Sequence, residues 1–383
     1  MSQRFLKMYQ GLIVLAVCFG FTIGAVQALE TPAREAFVFD MNTGTVLMEK
    51  NADELMPPAS MSKLMTVTMV LERLKDGSLK MEDTLPVSEA AWKKGGSKMF
   101  VRVDTRVKIS DLLRGVIIQS GNDACIVIAE GLAGSEEAFG DAMTARAREL
   151  GMEQSVFKNA TGWPHPEHRM TARELGILAK HIIENFPEFY GIFSELDFTY
   201  SEIKQGNRNP LLYKNTGADG LKTGHTEESG YGLVGSAKRD DRRLIVVLNG
   251  LGSAKERSRE GERLLEWGFR EFGNYSLFKP GDIVDNARVW LGETDTVPLT
   301  VEEDVTITLS RQERKSMVVK VAYNEPIPAP ILQGTPVAQL LIEVPEKETI
   351  TVPLIATENI ARPGVVRRLT SAVEYLIFGP SAQ

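Results

Sequence analysis

Hydrophobic positions change their period several times along the chain. Gly11 to Ile23 is apolar without a charge, follows Arg4 and Lys7, and leads to the small-residue pattern Val26-Gln27-Ala28. This predicts a secretory signal peptide, residues 1–28, removed after Ala28. The alternative, a retained anchor, would need a longer run to cross a bilayer. Arg34 to Asp40 alternates, Asn42-Thr43-Gly44 turns and Thr45 to Glu49 returns, which predicts a β-hairpin. Leu64, Met65, Val67, Met69, Val70 and Leu71 then leave almost no polar face, so a helix here is buried. Pro57-Pro58 sets its entry and Asp76-Gly77 its stop.

Thr84 to Val87 reads as a short strand, and Lys93 to Lys98 as a mobile surface loop without phosphate-loop spacing. Two apolar helices follow, Ile109–Ile118 with Ser110 as N-cap and Ala124–Gly131, with a polar turn between them. Ser135–Leu150 is amphipathic. Thr171-Ala172-Arg173-Glu174 has the form of a capping box opening a helix to about Asn185. Asp219–Thr226, Gly230–Ala237 and Leu244–Gly250 form an antiparallel meander, and Lys255–Phe272 a helix with Leu264, Leu265, Trp267, Phe269 and Phe272 on its apolar side. Beyond Gly273 helical periods give way to short β-like runs at 283–289, 297–299, 305–309, 317–322 and 338–344. Val365, Val366, Leu369, Ala372, Val373, Leu376 and Ile377 then return to helical spacing, beside Arg362, Arg367 and Arg368. That is the make-up of an interfacial helix lying on a membrane, the alternative being a helix docked on the β-rich part. The expected organisation is residues 1–28 signal peptide, 29–273 helical and meander domain, 274–361 all-β domain and 362–383 amphipathic helix.

A length of 383 residues suits two or three domains, and 43% hydrophobic with 25% charged residues is ordinary for a globular chain. The net charge of −7 and the lack of a basic, aromatic-interleaved cluster argue against nucleic acid. Cys18 falls in the leader, which leaves Cys125 unable to form an internal disulfide; its apolar neighbours make it a core residue. There are four histidines, and His165-Pro166-Glu167-His168 is not the helical zinc-peptidase pattern, so no metal is expected.

Ser60 and Lys63 lie three apart at the start of the buried helix, which puts them on one face. A buried lysine kept neutral can take the proton of a serine hydroxyl, and the unpaired N–H groups of the first turn favour a developing oxyanion. The same spacing recurs at Ser155/Lys158, Ser201/Lys204 and Ser276/Lys279, and only the apolar context distinguishes Ser60. Ser120-Gly121-Asn122 is the polar turn between the two apolar helices; alone it is also a plain interhelical turn with Asn122 as N-cap. Lys222-Thr223-Gly224 opens the meander. Lysine and threonine suit a carboxylate, and glycine in a strand allows close approach, although an isolated Lys-Thr-Gly is also an ordinary turn.

Together and in this order, Ser60-Met61-Ser62-Lys63, Ser120-Gly121-Asn122 and Lys222-Thr223-Gly224 resemble the elements shared by penicillin-binding proteins and class A β-lactamases. With Gln119 to Cys125, Asp219 to Thr226 and Trp267-Gly268-Phe269, nearly the whole chain resembles the low-molecular-mass penicillin-binding proteins that act as D-alanyl-D-alanine carboxypeptidases. The resemblance implies an α/β (α+β) fold: a β-lactamase/transpeptidase-like domain with an antiparallel sheet flanked by helices, then a small all-β domain and the terminal amphipathic helix. It implies a peptidoglycan stem peptide ending in D-Ala-D-Ala as substrate, β-lactams as covalent inhibitors, no cofactor, and a periplasmic location on the outer face of the cytoplasmic membrane. By the same resemblance Ser60 is the acylated nucleophile and Lys63 the general base, neutral through burial and the charge of Lys222. Ser120 relays protons, Asn122 holds the peptide amide, and Lys222, Thr223 and Gly224 line the third wall. His225 supplies an oxyanion-hole N–H, and Arg257 receives the terminal carboxylate, with Arg208 a second candidate.

A class A β-lactamase would have Ser-Asp-Asn in the second element and a glutamate for the deacylating water; Glu167 lacks that family's following Leu-Asn. A transpeptidase, or a non-catalytic wall-binding protein on the same fold, is the other alternative.

Overall fold

In the computed structural model, which describes residues 29–364, the hairpin strands β1 (Glu35–Asp40) and β2 (Val46–Lys50) belong to a larger sheet. Its other members are β7 (Ala218–Thr226), β8 (Gly230–Arg239) and β9 (Arg242–Leu251), in the order β2-β1-β9-β8-β7, every pair antiparallel. β1 pairs with β9 from Glu35 opposite Asn249 to Asp40 opposite Leu244. All six β1 residues are buried, although their alternation predicts one wet face. Helices cover both sides of the sheet, so its central strands are apolar on both faces. On α6 (Ala172–Asn185), a Cβ at Gly176 would come 3.0 Å from the Phe37 ring. On α8 (Ala254–Glu271), one at Gly268 would come 2.7 Å from Leu244.

The helical half is built around α1 (Lys63–Lys75), which is buried from Lys63 through Leu71. Packed with it are α3 (Ile109–Ile117), α4 (Asn122–Ala133) and α5 (Glu136–Glu149). Smaller pieces fill the edges: β3 (Thr84–Pro86) with β4 (Arg106–Lys108), α2 (Glu89–Lys93), α7 (Pro187–Tyr190), and the hairpin β5 (Asp197–Tyr200) with β6 (Ile203–Gly206).

Three local expectations change. Lys108, in extended backbone, is the N-cap of α3 and Ser110 lies inside it, because β4 runs straight into the helix. Thr171 accepts the N–H of Glu174, but Glu174 turns away to the N–H of Gln154 and the hydroxyl of Ser155, so the box is half made. Asn122 is the first residue of α4, after the N-cap Gly121, and its side chain is free for other work.

The rest forms a second apolar core around Leu299, Leu340, Ile342 and Leu354. β10 (Phe272–Phe278) pairs with β13 (Val305–Ser310). A six-stranded sheet joins β14 (Val318–Ala322), β16 (Pro336–Glu343), β17 (Ile350–Ala356), β12 (Thr296–Val301), β11 (Asp285–Trp290) and β15 (Ile327–Pro328), in that order. Helical structure does not stop altogether: α9 (Arg311–Ser316) opens on a full capping box between Ser310 and Glu313. This part is tied to the first by polar contacts at Asp40. Its buried carboxylate accepts from Arg242 at 2.6 Å and from Asn274 at 3.2 Å. The expected signal peptide and all but the first residues of the terminal amphipathic helix lie outside the described residues. Among the described residues no helix is long and apolar enough to cross a membrane.

Candidate active site

The site begins at a 3₁₀ turn, Ala59–Ser62, ahead of α1. Ser62 donates to the Ala59 carbonyl at 3.0 Å and closes the turn. Ser60 is left partly exposed, while Lys63, on the first turn of α1, is fully buried. The Lys63 amine donates to Ser60 Oγ at 2.8 Å, Asn122 Oδ1 at 2.8 Å and the Thr161 carbonyl at 2.5 Å. A protonated amine fills all three positions. A neutral one keeps two N–H bonds and points a lone pair along the third.

Burial holds the Lys63 amine down at about 8, opposed by the Cys125 thiol and Glu136 and helped by the charges of Arg208 and Lys94. Of the two expected causes, burial and the charge of Lys222, burial is the larger, and the charges that help are those of Arg208 and Lys94 rather than Lys222. Lys222 is itself held well below the ordinary lysine range by its own burial and by the charge of Lys63.

Asn122 is fixed from behind. Its Nδ2 donates to the Gly95 carbonyl at 2.9 Å and its backbone N–H to Ser97 O at 2.7 Å. The glycine loop after α2, expected as a free surface segment, is therefore tied to this site. Asp123 ties it further: its buried carboxylate accepts the backbone N–H groups of Met99, Phe100 and Val101 at 2.8–3.1 Å. Ser120 is buried in the left-handed region at φ 60°, and among the described residues its hydroxyl makes no side-chain hydrogen bond.

Lys222, Thr223 and Gly224 are buried on β7. A Cβ on Gly224 would stand 2.9 Å from the Pro58 carbonyl, so the strand lies directly against the serine turn. Lys222 Nζ donates to its neighbour Thr223 O at 3.1 Å. The His225 ring is exposed and stacks on Tyr231 with centroids 3.9 Å apart. Arg257, on α8, donates to the Gly224 carbonyl at 3.4 Å and lies over the Tyr231 ring at 5.7 Å. Its Nε is buried without a partner, and no carboxylate ion-pairs with it among the described residues. Burial lowers its guanidinium to about 10. Arg208 donates instead to Ser97 Oγ at 2.5 Å, on the opposite loop.

Ser60, Lys63 and Asn122 thus form one hydrogen-bonded chain, Arg257 touches the Gly224 backbone, and Ser120 and Lys222 make no direct bond to the chain. A contributor missed in the sequence is the turn at 159–163. Asn159 Oδ1 accepts from Thr161 N–H, Thr161 Oγ and Trp163 N–H at 2.9–3.1 Å, which aims the Thr161 carbonyl at Lys63. Gly162 has φ +74°, and a Cβ there would fall 1.9 Å from the Ala59 carbonyl, so the turn sits directly on the serine. Asparagine two residues ahead of Thr-Gly is a turn signal that could have marked it. Glu167, the glutamate a β-lactamase reading needs, is largely exposed and pairs with Lys158 at 3.2 Å.

A part-exposed serine hydroxyl bonded to a buried amine of lowered pKa, on a transpeptidase-like fold of antiparallel sheet and helices, defines a serine peptidase. The family described as D-alanyl-D-alanine carboxypeptidase matches residues 23–252, and the penicillin-binding protein 5 C-terminal domain matches residues 272–362. The chain belongs to the D-alanyl-D-alanine carboxypeptidase family. It is 38% identical to D-alanyl-D-alanine carboxypeptidase DacC of Escherichia coli K12, over 90% of this chain and 89% of that relative. Penicillin-binding protein 5 of Haemophilus influenzae superposes with a TM-score of 0.77 at 33% identity, covering 88% of this chain and 100% of that one. Penicillin-binding protein D2 of Listeria monocytogenes in its ampicillin-bound form is similar at 31% identity and TM-score 0.58, over 63% of this chain and 99% of that one.

Proposed function

We propose that the protein is a serine-type D-Ala-D-Ala carboxypeptidase that trims the terminal D-alanine from peptidoglycan stem pentapeptides. One observation carries the reading: the 2.8 Å hydrogen bond between Ser60 Oγ and the buried Lys63 amine, whose lowered pKa makes a neutral base accessible near neutral pH.

In the first step Ser60 Oγ bonds to the penultimate D-alanine carbonyl carbon and its proton passes to Lys63 Nζ. The tetrahedral oxyanion is met by the backbone N–H groups of Ser60 and His225. The C–N bond breaks, and the proton held by Lys63 passes through Ser120 to the departing D-alanine amine, leaving Lys63 neutral. Water then attacks the Ser60 ester and gives its proton to Lys63, which returns it to Ser60 Oγ as the ester C–O bond breaks and the shortened peptide leaves. Asn122 orients Lys63 and holds the peptide amide, and Thr223 and Lys222 line the opposite wall. Arg257 receives the terminal carboxylate, supported by its buried guanidinium without an acidic partner. Arg208 is the weaker candidate for that role, since it reaches Ser97. A β-lactam would follow the first step and stall at the ester. The expected signal peptide and the basic, amphipathic sequence pattern of residues 362–383 support a periplasmic protein held on the membrane face. Catalysis belongs to residues 29–273, and residues 274–361 form the β-domain.

The test is release of D-alanine from diacetyl-lysyl-D-Ala-D-Ala by the wild type and by Ser60→Ala. Activity confined to the wild type is expected, together with a long-lived penicillin adduct on Ser60. Equal activity of the two proteins, or rapid turnover of penicillin, would overturn the assignment.

A further inference from the structure

The 94–101 loop that braces Asn122 has an outer side that the chemistry above does not use. There a surface groove of about 250 Å³ lies between the loop and the β5–β6 hairpin. Trp92, Phe100 and Ile203 line it with 40–45% of their surfaces exposed. The hairpin is held to the loop by Gln205 Nε2 donating to the Lys98 carbonyl at 3.1 Å.

Phe100 is the unusual member. Its φ is +70°, a conformation costly for a bulky side chain. The Asp123 carboxylate enforces it, taking the N–H of Phe100 at 2.8 Å together with those of its two neighbours. The residue after Asn122 therefore holds an aromatic ring out into water. Nothing in the packing of the core asks for that ring, so the strain points to a binding role.

The charge in the groove has one sign. Lys98 and Arg102 line it and no acidic side chain does. Lys98 Nζ donates to the Trp92 carbonyl at 2.6 Å, which holds the amine at the groove with N–H groups to spare, and neither cation has an ion-pair partner among the described residues. In a chain of net charge −7 this is a local exception. From Ser97, whose carbonyl holds Asn122, to Phe100 the chain spans at most about 10 Å. The groove thus begins within three residues of the loop carbonyl that holds Asn122, next to the site.

We infer that this groove is a subsite for the upstream, carboxylate-bearing part of the stem peptide. Lys98 and Arg102 hold its carboxylate, and its aliphatic portion rests on Trp92 and Phe100. The inference rests on the carboxypeptidase reading and adds a determinant of substrate length to it.

Two substrates separate the two ideas. Diacetyl-lysyl-D-Ala-D-Ala lacks the upstream carboxylate; the pentapeptide L-Ala-γ-D-Glu-L-Lys-D-Ala-D-Ala carries it. The wild type should have a lower KM for the pentapeptide, and amidation of the glutamate carboxylate should remove the difference. In Lys98→Gln/Arg102→Gln the pentapeptide KM should rise on the order of three- to tenfold, as for partly exposed charge pairs. Its kcat, and hydrolysis of the short peptide, should not change. Phe100→Gly should raise the pentapeptide KM too, without loss of thermal stability, because glycine accepts the positive φ. Equal pentapeptide KM in wild type and variants, or an equal rise for both peptides, would overturn the subsite and leave the enzyme assignment standing. A wild type inactive on both peptides would remove the assignment and the subsite together.

Discussion

Replacing Lys63 by methionine separates the cost of burying an amine from its use. The folded protein holds this lysine at about 8 against an ordinary 10.5, chiefly by burial. Between those values the unfolded chain binds more protons than the folded one, so stability rises with pH across the window. The penalty is full below about 8 and gone above 10.5. At about 1.4 kcal/mol per pH unit it amounts to about 3 kcal/mol. Lys63→Met removes that term but orphans two buried acceptors, Asn122 Oδ1 and Thr161 O, at about 1–3 kcal/mol each. The orphaning cost does not titrate, so the absolute stability of the variant decides little and the pH dependence decides much. Removing the Lys63 charge also relieves Lys222, whose pKa it depresses, and this acts in the same direction. Urea unfolding of wild type and variant from pH 7 to 10.5 is the assay. The wild type should gain about 3 kcal/mol on the variant across that range. A difference flat to within about 0.5 kcal/mol would refute the claim that burial makes this lysine a base.

The same lysine predicts that acylation of Ser60 by penicillin accelerates as pH rises through about 8, measured by stopped-flow fluorescence; a pH-independent rate would contradict it. Arg257→Gln should raise KM for diacetyl-lysyl-D-Ala-D-Ala on the order of tenfold or more, the scale of a charge-assisted hydrogen bond, and an unchanged KM would dismiss Arg257 as the carboxylate receptor. Gly162→Ala puts a methyl 1.9 Å from the Ala59 carbonyl at φ +74°, so the loop must leave the serine turn. Acylation should fall on the order of a hundredfold, since displacing a positioned group by an ångström has that scale, with rates near wild type as the contrary result. Cys125 is fully buried with its thiol pushed up to about 12, so it should resist alkylation at pH 8 until the protein is unfolded; labelling of the native protein would show the core opening locally.

The helix after Ser60, the meander and the β-rich C-terminal part were readable because each has a period that its own residues carry. The exceptions have a common cause. Ser110 looked like an N-cap only because β4, which delivers α3 directly, leaves little trace in three residues. Glu174 had the spacing of a capping box, yet Ser155 and Gln154, close in space and distant in sequence, competed for its carboxylate. The glycine loop at 93–98 lacked any period and read as surface until Asn122, on another helix, took two of its carbonyls.

Within the site the division is similar. Ser60 and Lys63 meet because three residues on a helix always face the same way, and sequence determines that alone. It also determines that Lys63 enters a helix too apolar to remain outside. The pairing of β1 with β9, across more than 200 residues, follows from no local pattern, and it is what completes the sheet. Nor does local pattern show which carbonyl receives the third N–H of Lys63, which guanidinium lacks a carboxylate, or why Phe100 stands in water. Those contacts join segments that only packing brings together, and the free energy that selects them belongs to the buried environment of the whole fold rather than to any stretch of chain.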